Sequence, residues 1–366
     1  MAATHQATVD DRVVASMSRL ADRAVDFAPD LNLLFVTNIR EGAVVDIGPG
    51  GISNVSQYYT RQQADAIIRS FQDLGVTVES FFSEHDFIAR VIDRRPRNRP
   101  EIVYTTAEGG RGAGRRALIP SLCNLLDLPV LNSGAHACSV ARHKLHANAV
   151  LKMFGVRTPE TWQFDGAGWV GGRKPVRGAR VIVKPAFESM CIGIDHESVQ
   201  VVDAGFDDFA RSRADSFSEP VVVQEFVSGE EVGVPLVQMG STHALQVLEV
   251  RRSDGERFGA FPQTFEDHVR RNVIYVPYET GPEQYATIRR AAKVAFDALG
   301  MSGIGRVDFR VDADGRAWAF DTNEAPAPLA GTAYAIAMEQ LGFPLQKMLA
   351  VWLGIGLAKA GLISGV

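Results

Sequence analysis

The sequence predicts a protein of mixed α/β and α+β structure in three parts. Strand-like and helix-like segments alternate up to about residue 135, which is typical of a parallel sheet covered by helices. A strand-rich region follows, and then a second mixed region. With 366 residues, 46% of them hydrophobic, the chain can fill two or three domain cores. We therefore expect domains at residues 1–139, 140–227 and 228–366.

The first part begins with an amphipathic helix. Residues 1–27 lack the continuous apolar segment of a signal peptide. "LNLLFVTN" predicts a buried strand, and "RQQADAIIRSFQDLGV" predicts a helix that ends at a glycine. Two more strands, "TVESFFS" and "EIVYTTA", are followed by the helical "ALIPSLCNLLDL" and the short strand "PVLNSG".

The two later parts contain more strands. A helix in "ARHKLHANAVLKMFG" precedes the strands "ARVIVKPA", "SVQVVDA" and "EPVVVQEFV", with a helical stretch near 205–213. The third part has the strands "EEVGVPLVQMG" and "HALQVLEVRR", a loop with few structural signals, a helix at 283–299 and a hairpin within 305–326. "LAVWLGIGLAKAGLISG" is interrupted by Lys359 and rich in glycine, so it predicts a packed terminal helix rather than a membrane span.

Composition favours work on small molecules. A formal net charge of -5 gives no electrostatic case for binding nucleic acid or an anionic membrane surface. Three scattered cysteines make no disulfide framework, so we expect reduced thiols in the cytoplasm. The sequence has neither a GxGxxG nor a P-loop motif, and no HExxH or GxSxG, which argues against a Rossmann cofactor, a P-loop nucleotide, zinc and serine-hydrolase chemistry.

The hairpin "VDFRVDADGRAWAFDTN" carries an unusual set of polar side chains. Its DG pair predicts a two-residue turn, which sets Asp308 opposite Asp321 and Arg306 opposite Asn323. Side chains alternate between the faces of a strand, so these four share one face. The other face is then formed by Val307, Phe309, Val311, Trp318, Phe320 and Thr322.

Two explanations of that polar face stay open. Opposed carboxylates repel unless a cation lies between them, and hard oxygen ligands with room for water and phosphate suit Mg²⁺. The hairpin then holds one or two magnesium ions beneath a polyphosphate. Alternatively, Asp308 only pairs with Arg306 or Arg310 on a solvated face.

Other stretches add candidate anion-binding groups. Lys184 ends the strand "VIVKPA" before a loop of small residues, and Lys144 lies in the first turn of a helix. The glycine-rich "AEGGRGAGRRALIP" carries Arg111, Arg115 and Arg116 ahead of a helix, where they could grip an anionic or carboxylate-bearing substrate. Each of these stretches, taken alone, is also compatible with an ordinary solvated surface.

Taken in order, these stretches resemble the ATP-grasp superfamily, most closely its D-alanine–D-alanine ligase-like branch. The resemblance spans roughly residues 100–350. It rests on "AEGGRGAGRRALIPSLCNLLDLPVLNSG", "RHKLHANAVLKMFGVRTP", "VIVKPAFESMCIG", "VVVQEFVSGEEVGV" and "GIGRVDFRVDADGRAWAFDTNEAP". It implies a three-domain ATP-grasp architecture, with ATP and one or two Mg²⁺ ions as cofactors.

The resemblance also implies roles for individual residues. Lys144 and Lys184 match the lysines that contact ATP, and Arg306 matches the arginine that stabilises the anionic tetrahedral intermediate, with Lys184 and Arg306 as the catalytic pair. The adenine hinge is matched by Gln224, Glu225, Phe226 and Val227, and the acid at the ribose by Glu231. The magnesium ligands are matched by Asp308, Asp321 and Asn323. The lid that reaches the γ-phosphate is matched by a loop with His268, Arg270 and Arg271 as candidates.

Several positions depart from the dipeptide ligases of this branch. Met190 and Cys191 stand where those enzymes have serines that contact substrate, and "PAPLAGT" replaces a P-G-M-T-like run. "GGISNVSQYYT" lacks the glutamate that holds the first ammonium group, and Asp321 replaces the usual glutamate. Thr332 keeps a hydroxyl at the position that contacts the acceptor carboxylate. We therefore do not expect a peptidoglycan D-Ala-D-Ala ligase.

The implied reaction activates a carboxylate as an acyl phosphate, which an amine then attacks. We expect an ATP-dependent carboxylate–amine ligase that joins an amino acid or a similar small molecule to an amine, with specialised metabolism as one setting. One alternative is a ligase with a non-amine acceptor, and another is a nucleotide-binding regulator without catalysis. Family members are often dimers, so a homodimer is compatible with this resemblance.

Overall fold

The computed structural model describes residues 9–43, 54–93, 99–110 and 112–365. Within these residues the strands form three sheets. Each sheet lies inside one of the three predicted residue ranges, whose boundaries at 139/140 and 227/228 stay a prediction.

The first sheet is parallel, as predicted, with the strand order β2-β1-β3. "PVLNSG" makes only a single bridge to it, between Val130 and Val103, rather than a strand. The sequence did not predict two short helices, α3 and α5, which begin after Ser83 and Gly134. The strands are β1 Asn32–Val36, β2 Thr77–Phe81 and β3 Glu101–Thr105; the helices are α1 Asp11–Phe27, α2 Arg61–Gln72, α3 Glu84–Ile92, α4 Leu118–Leu125 and α5 Ala135–Arg142.

The second sheet is antiparallel, in the order β4-β7-β5-β6. Its central strands are rich in β-branched residues. Those on one face pack with Phe164 and with Phe206 of α7; they are Val181, Val183, Val221 and Val223. The helix predicted to begin near residue 141 begins at Lys144, after a break at His143. The elements are α6 Lys144–Met153, β4 Thr161–Phe164, β5 Arg180–Pro185, β6 Val199–Val201, α7 Phe206–Phe217 and β7 Val221–Glu225.

The third sheet has the order β11-β10-β8-β12-β13, with β9 paired to β8. The loop predicted to have few structural signals contains α8 and β11, which are only five residues each. The elements are β8 Glu230–Met239, β9 Ser241–Ala244, β10 Leu248–Arg252, α8 Phe265–Val269, β11 Val273–Pro277, α9 Pro282–Ala298, β12 Ile304–Val311, β13 Ala317–Asn323, α10 Ala333–Gln340 and α11 Leu345–Lys359.

The hairpin β12–β13 has the predicted register at its polar end but not the predicted turn. Asp308 lies opposite Asp321, and Arg306 lies opposite Asn323. The turn is one residue longer than expected, because Asp312 pairs with Arg316 around a left-handed glycine.

A β-bulge in β13 compensates for the longer turn. Phe309 pairs with Ala319 rather than with Phe320, so one extra residue stands in β13 before Asp321. Ala317 and Ala319 therefore face the core, and the prediction that Trp318 and Phe320 share the core face is wrong, since Trp318 lies opposite Arg310. The bulge restores the alternation that the longer turn would have inverted.

The C-terminal helix joins the first and third parts. α11 is buried along most of its length and packs against α1, around Trp352. The contact is close, because a Cβ added at Gly354 would lie 2.4 Å from the carbonyl oxygen of Leu20. Among the described residues no single helix is long and apolar enough to cross a membrane; α10 and α11 are so only as a pair, and they meet at an angle of 100°.

Gly354→Ala tests the α1–α11 contact. We expect it to lower the free energy of unfolding by about 1–3 kcal/mol, because the new methyl group meets backbone that cannot rotate away. Intrinsic helix propensity alone predicts the opposite sign, a gain of about 1 kcal/mol. Urea denaturation measures the difference, and a variant more stable than the wild type would contradict the packing described here.

Candidate active site

A cleft lies between the second and third sheets, with about 700 Å³ of space that no protein atom fills, part of it open to solvent. The carboxyl ends of β5 and β7, the start of β8 and the hairpin β12–β13 supply its walls. It is lined by Lys144, Pro159, Ile182, Lys184, Pro185, Glu188, Ser189, Cys191, Ile192, Ile194, Gln224, Glu225, Phe226, Val227, Glu231, Pro262, Gln263, Arg310, Phe320 and Asp321.

The two predicted lysines come together at one end of this cleft. Both are buried. The Nζ of Lys184 donates to Oε1 of Gln224 at 3.0 Å and lies 5.5 Å from the centre of the Phe320 ring, while the Nζ of Lys144 donates to the carbonyl oxygen of Glu188. Burial lowers the pKa of both amines, that of Lys184 to about 8. An anion between them would relieve this unfavourable burial of charge.

The predicted hinge residues line the cleft from the end of β7 onward. Gln224 is buried and donates from Nε2 to Thr161 at 3.2 Å, so its amide is fixed from both sides. The Phe226 ring lies between two guanidinium groups, with its centre 4.7 Å from Arg180 and 5.1 Å from Arg310. The ring thus forms a rigid apolar wall with cationic support.

Glu231, the predicted ribose acid, lies at the start of β8 directly opposite Arg310 on β12. The Nε of Arg310 is 3.8 Å from Oε2 of Glu231. Burial raises the pKa of Glu231 even though Arg310 opposes the shift. Arg310 was not among the predicted site residues, although its position in the hairpin, two residues after Asp308, could have indicated it.

The polar face of the hairpin consists of Arg306, Asp308, Asp321 and Asn323. Arg306 holds Asp308 in a two-point contact, with distances of 2.7 and 2.9 Å. One oxygen of Asp321 accepts from the amide of Thr322 at 3.0 Å, and Oδ1 of Asn323 accepts from the amide of Ala325 at 3.0 Å. Burial raises the pKa of Asp308 despite Arg306, and Asp321 adds to the shift.

This arrangement joins parts of both hairpin explanations. The pairing of Asp308 with Arg306 exists, but it is not on a solvated face, because the two side chains are only 13% and 21% exposed. Across the described residues, no three His, Cys, Asp or Glu side chains form a metal-binding group. Two carboxylates and an amide fit a hard divalent cation whose remaining ligands are phosphate and water oxygens.

The arginines of the glycine-rich loop are paired within the protein. Arg115 donates to Glu188 at 2.7 Å, and Arg116 contacts both Glu108 and, at 2.6 Å, Glu324. The expectation that Arg115 and Arg116 bind a substrate directly is not supported, because their side chains are only 5% and 12% exposed and both are paired with glutamates. Arg111 lies outside the described residues. Arg142 also contacts Glu108. We call the resulting set of paired side chains the charge cluster; it consists of Glu108, Glu188, Glu324, Arg115, Arg116 and Arg142.

The lid prediction needs a similar correction. Arg270 and Arg271 are exposed and do not line the cleft, and Arg270 pairs with Glu266 at 2.5 Å. His268 is half-buried, and burial lowers the pKa of its ring. The predicted lid lines the cleft instead at Pro262 and Gln263, which lie before these residues in the sequence.

The predicted substrate contacts are only partly at the cleft. Met190 and Cys191 both have left-handed backbone, with φ of 55° and 58°, but only Cys191 lines the cleft. The hydroxyl of Thr332 caps α10, accepting from the amide of Ala335 at 3.3 Å and donating to the carbonyl of Leu329 at 2.9 Å. Its predicted contact with the acceptor carboxylate stays a prediction.

The model of the family described as "D-ala D-ala ligase C-terminus" matches residues 151–353, more than half of the chain. The chain belongs to the D-alanine–D-alanine ligase family. The D-alanine–D-alanine ligase of Bordetella petrii is 27% identical over 238 residues, covering 64% of this chain and 70% of the relative. That of a Synechococcus strain is 25% identical, covering 80% and 88%.

Solved structures show the same fold for this ligase-family chain. The D-alanine–D-alanine ligase from Bacillus anthracis, complexed with ATP, superposes with a TM-score of 0.65 at 14% identity, over 90% of this chain and 99% of that one. The D-Ala:D-Ser ligase from Enterococcus faecalis gives 0.62 at 16% identity, over 89% and 99%. The predicted ATP-grasp architecture is confirmed, and the protein is an ATP-dependent ligase that forms carbon–nitrogen bonds.

Arg116→Gln tests the charge cluster. The change leaves the buried carboxylates of Glu108 and Glu324 short of a cation, so we expect the free energy of unfolding to fall by about 3–5 kcal/mol. Arg270→Gln removes an exposed partner of Glu266 and is the matched control, with no measurable change expected. Equal stability of the two variants in urea would show that the cluster contributes nothing.

The pKa of Lys184 predicts proton uptake when ATP binds. At pH 9 this amine, with its pKa of about 8, is mostly neutral, and neighbouring phosphate oxygens raise the pKa and protonate it. At pH 6.5 the amine is already charged, so little uptake is expected. Titration calorimetry in two buffers of different ionisation enthalpy measures the protons. Equal uptake by wild type and Lys184→Met at pH 9 would assign the proton to another group.

Proposed function

We propose that the protein activates a small carboxylate substrate as an acyl phosphate, using ATP bound in the cleft, and couples it to an amine. The observation that carries this proposal is the convergence of Lys144, Lys184, the 224–227 hinge, Glu231 and Asp321 on one cleft. The two buried amines suit phosphate oxygens, and the hinge suits an adenine ring.

Asp308, Asp321 and Asn323 are the residues we propose to hold Mg²⁺. The ion would supply charge neutralisation for the polyphosphate during phosphoryl transfer. The side chains of the cleft do the remaining work by holding the phosphates, orienting the γ-phosphoryl group and excluding water. That exclusion matters because an acyl phosphate is otherwise lost to hydrolysis.

Arg306 is the residue we propose to stabilise the tetrahedral intermediate. The γ-phosphoryl group passes from ATP to a carboxylate oxygen, giving ADP and the acyl phosphate. The amine then attacks the acyl carbon, a negative charge forms on the carbonyl oxygen, and phosphate leaves. Arg306 is held by Asp308 and is 21% exposed, so its charge is fixed in place before the oxyanion forms.

The substrates we propose are amino acids or similar small molecules, and not the pair of D-alanines named for the relatives. The support is local: Met190 and Cys191, in the loop after Lys184, replace serines of the dipeptide ligases, and "PAPLAGT" stands shortly after Asn323. The exchange of hydroxyl groups for a thioether and a thiol removes hydrogen-bond partners from an amino-acid substrate. Specialised metabolism remains part of this proposal.

ADP release with ATP and Mg²⁺, screened over L- and D-amino acids singly and in pairs, tests the proposal. We expect turnover that needs a particular pair, and a product lighter by one water than the sum of the two substrates. Lys184→Ala should abolish turnover, because the phosphates lose a buried cation. ATP binding without turnover on any pair would favour a non-amine acceptor or a regulator, and efficient joining of two D-alanines would contradict the proposed substrate difference.

A further inference from the structure

The lid segment is attached to the nucleotide side of the cleft at three consecutive peptides. The carbonyl oxygens of residues 259–261 each accept a hydrogen bond from a different donor. These donors are the amide of Gly229 at 3.0 Å, Nη2 of Arg180 at 2.6 Å and Nη2 of Arg310 at 2.7 Å. Immediately after this segment, Pro262 and Gln263 form part of the cleft wall.

Arg310 differs from the other two donors because it also lines the cleft. Its side chain is only 6% exposed. Beyond the bond to Phe261, its Nη1 donates to the carbonyl of Gly229 at 3.0 Å, and its guanidinium lies over the Phe226 ring. One planar cation therefore contacts the hinge, the lid segment and, at 3.8 Å, the carboxylate of Glu231.

The backbone around Gly229 leaves little freedom for this arrangement. A Cβ at Gly229 would lie 1.9 Å from the carbonyl oxygen of Val311, and φ there is 149°. The hinge thus passes directly against β12, one residue from Arg310. Because the guanidinium donates to Gly229 and to Phe261, it links β12 both to the hinge and to the segment 259–261.

We propose that Arg310 is a positioning residue for nucleotide binding, acting through Glu231 and through the lid segment 259–261. Its guanidinium fixes the carboxylate of Glu231 from 3.8 Å, and through the carbonyl of Phe261 it holds Pro262 and Gln263 in the cleft wall. This inference rests on the proposed function, since it takes the cleft to be the ATP site. It assigns a role to a side chain that would otherwise be costly to bury.

Arg310→Met is the first test, with Arg180→Met as the matched control. Both changes remove a guanidinium from the Phe226 ring and a donor from the lid segment, but Arg180 lies outside the cleft. With Mg²⁺ and a non-hydrolysable ATP analogue, calorimetry should show about tenfold or greater weakening for Arg310→Met and less than about twofold for Arg180→Met. The KM of Arg310→Met for ATP should rise by a similar factor, and by more than its kcat falls, because Arg310 positions nucleotide-binding groups and does not touch the reacting atoms.

Glu231→Gln and the double variant test the route. If Arg310 acts through Glu231, the double variant loses less affinity than the product of the two single losses. Multiplicative losses would overturn that route, and equal losses for Arg180→Met and Arg310→Met would replace the proposal with simple lid anchoring. If Arg310→Met does not fold, Arg310→Lys carries the test, since lysine keeps the charge but cannot reproduce the fork, and wild-type affinity would overturn the proposal.

The same titrations distinguish a failure of the proposed function from a failure of the role proposed for Arg310. Failure of the wild-type protein to bind the analogue counts against the proposed function itself. Wild-type binding together with unchanged binding by Arg310→Met counts only against the role of Arg310. Thermal denaturation without nucleotide provides the folding control for every variant.

Discussion

The arrangement of the site depends on the compensation of one buried carboxylate. Glu108 is 4% exposed, and burial alone would raise its pKa, but Arg142, Arg116 and Arg115 together hold it below the ordinary value. A buried charge is tolerated only when partners surround it. These partners come from separate segments of the chain, so the fold can satisfy Glu108 only when those segments meet.

The cluster is connected to the cleft and to the polar face of the hairpin by two of its arginines. Arg115 continues to Glu188, whose carbonyl accepts from Lys144, and Arg116 continues to Glu324, the neighbour of Asn323. Three arginines and three glutamates thus connect the glycine-rich loop with the loop that follows β5 and with the residue after Asn323. The formal charges balance within the cluster, and Glu188 belongs both to the cluster and to the lining of the cleft.

Sequence patterns predicted much of the fold and the identity of several cleft residues. Periodicity located most long elements, and the hairpin alternation set Asp308 opposite Asp321. Sequence patterns could not predict contacts between residues that are distant in the chain. The sequence shows that Arg115 and Arg116 are cations, but not that Glu188 and Glu324 lie beside them. It shows a DG turn, but not whether the loop has two or three residues.

The bulge at Phe320 has a consequence for how the hairpin tolerates change. The solvent-facing tip and the bulge each add one residue relative to a regular hairpin, and the two additions cancel for Asp321 and Asn323. The extra residue in β13 is Phe320, and its ring lines the cleft beside Lys184 instead of packing in the core. The extra residue at the tip therefore changes which side chain of β13 faces the cleft, while Asp321 and Asn323 stay opposite Asp308 and Arg306.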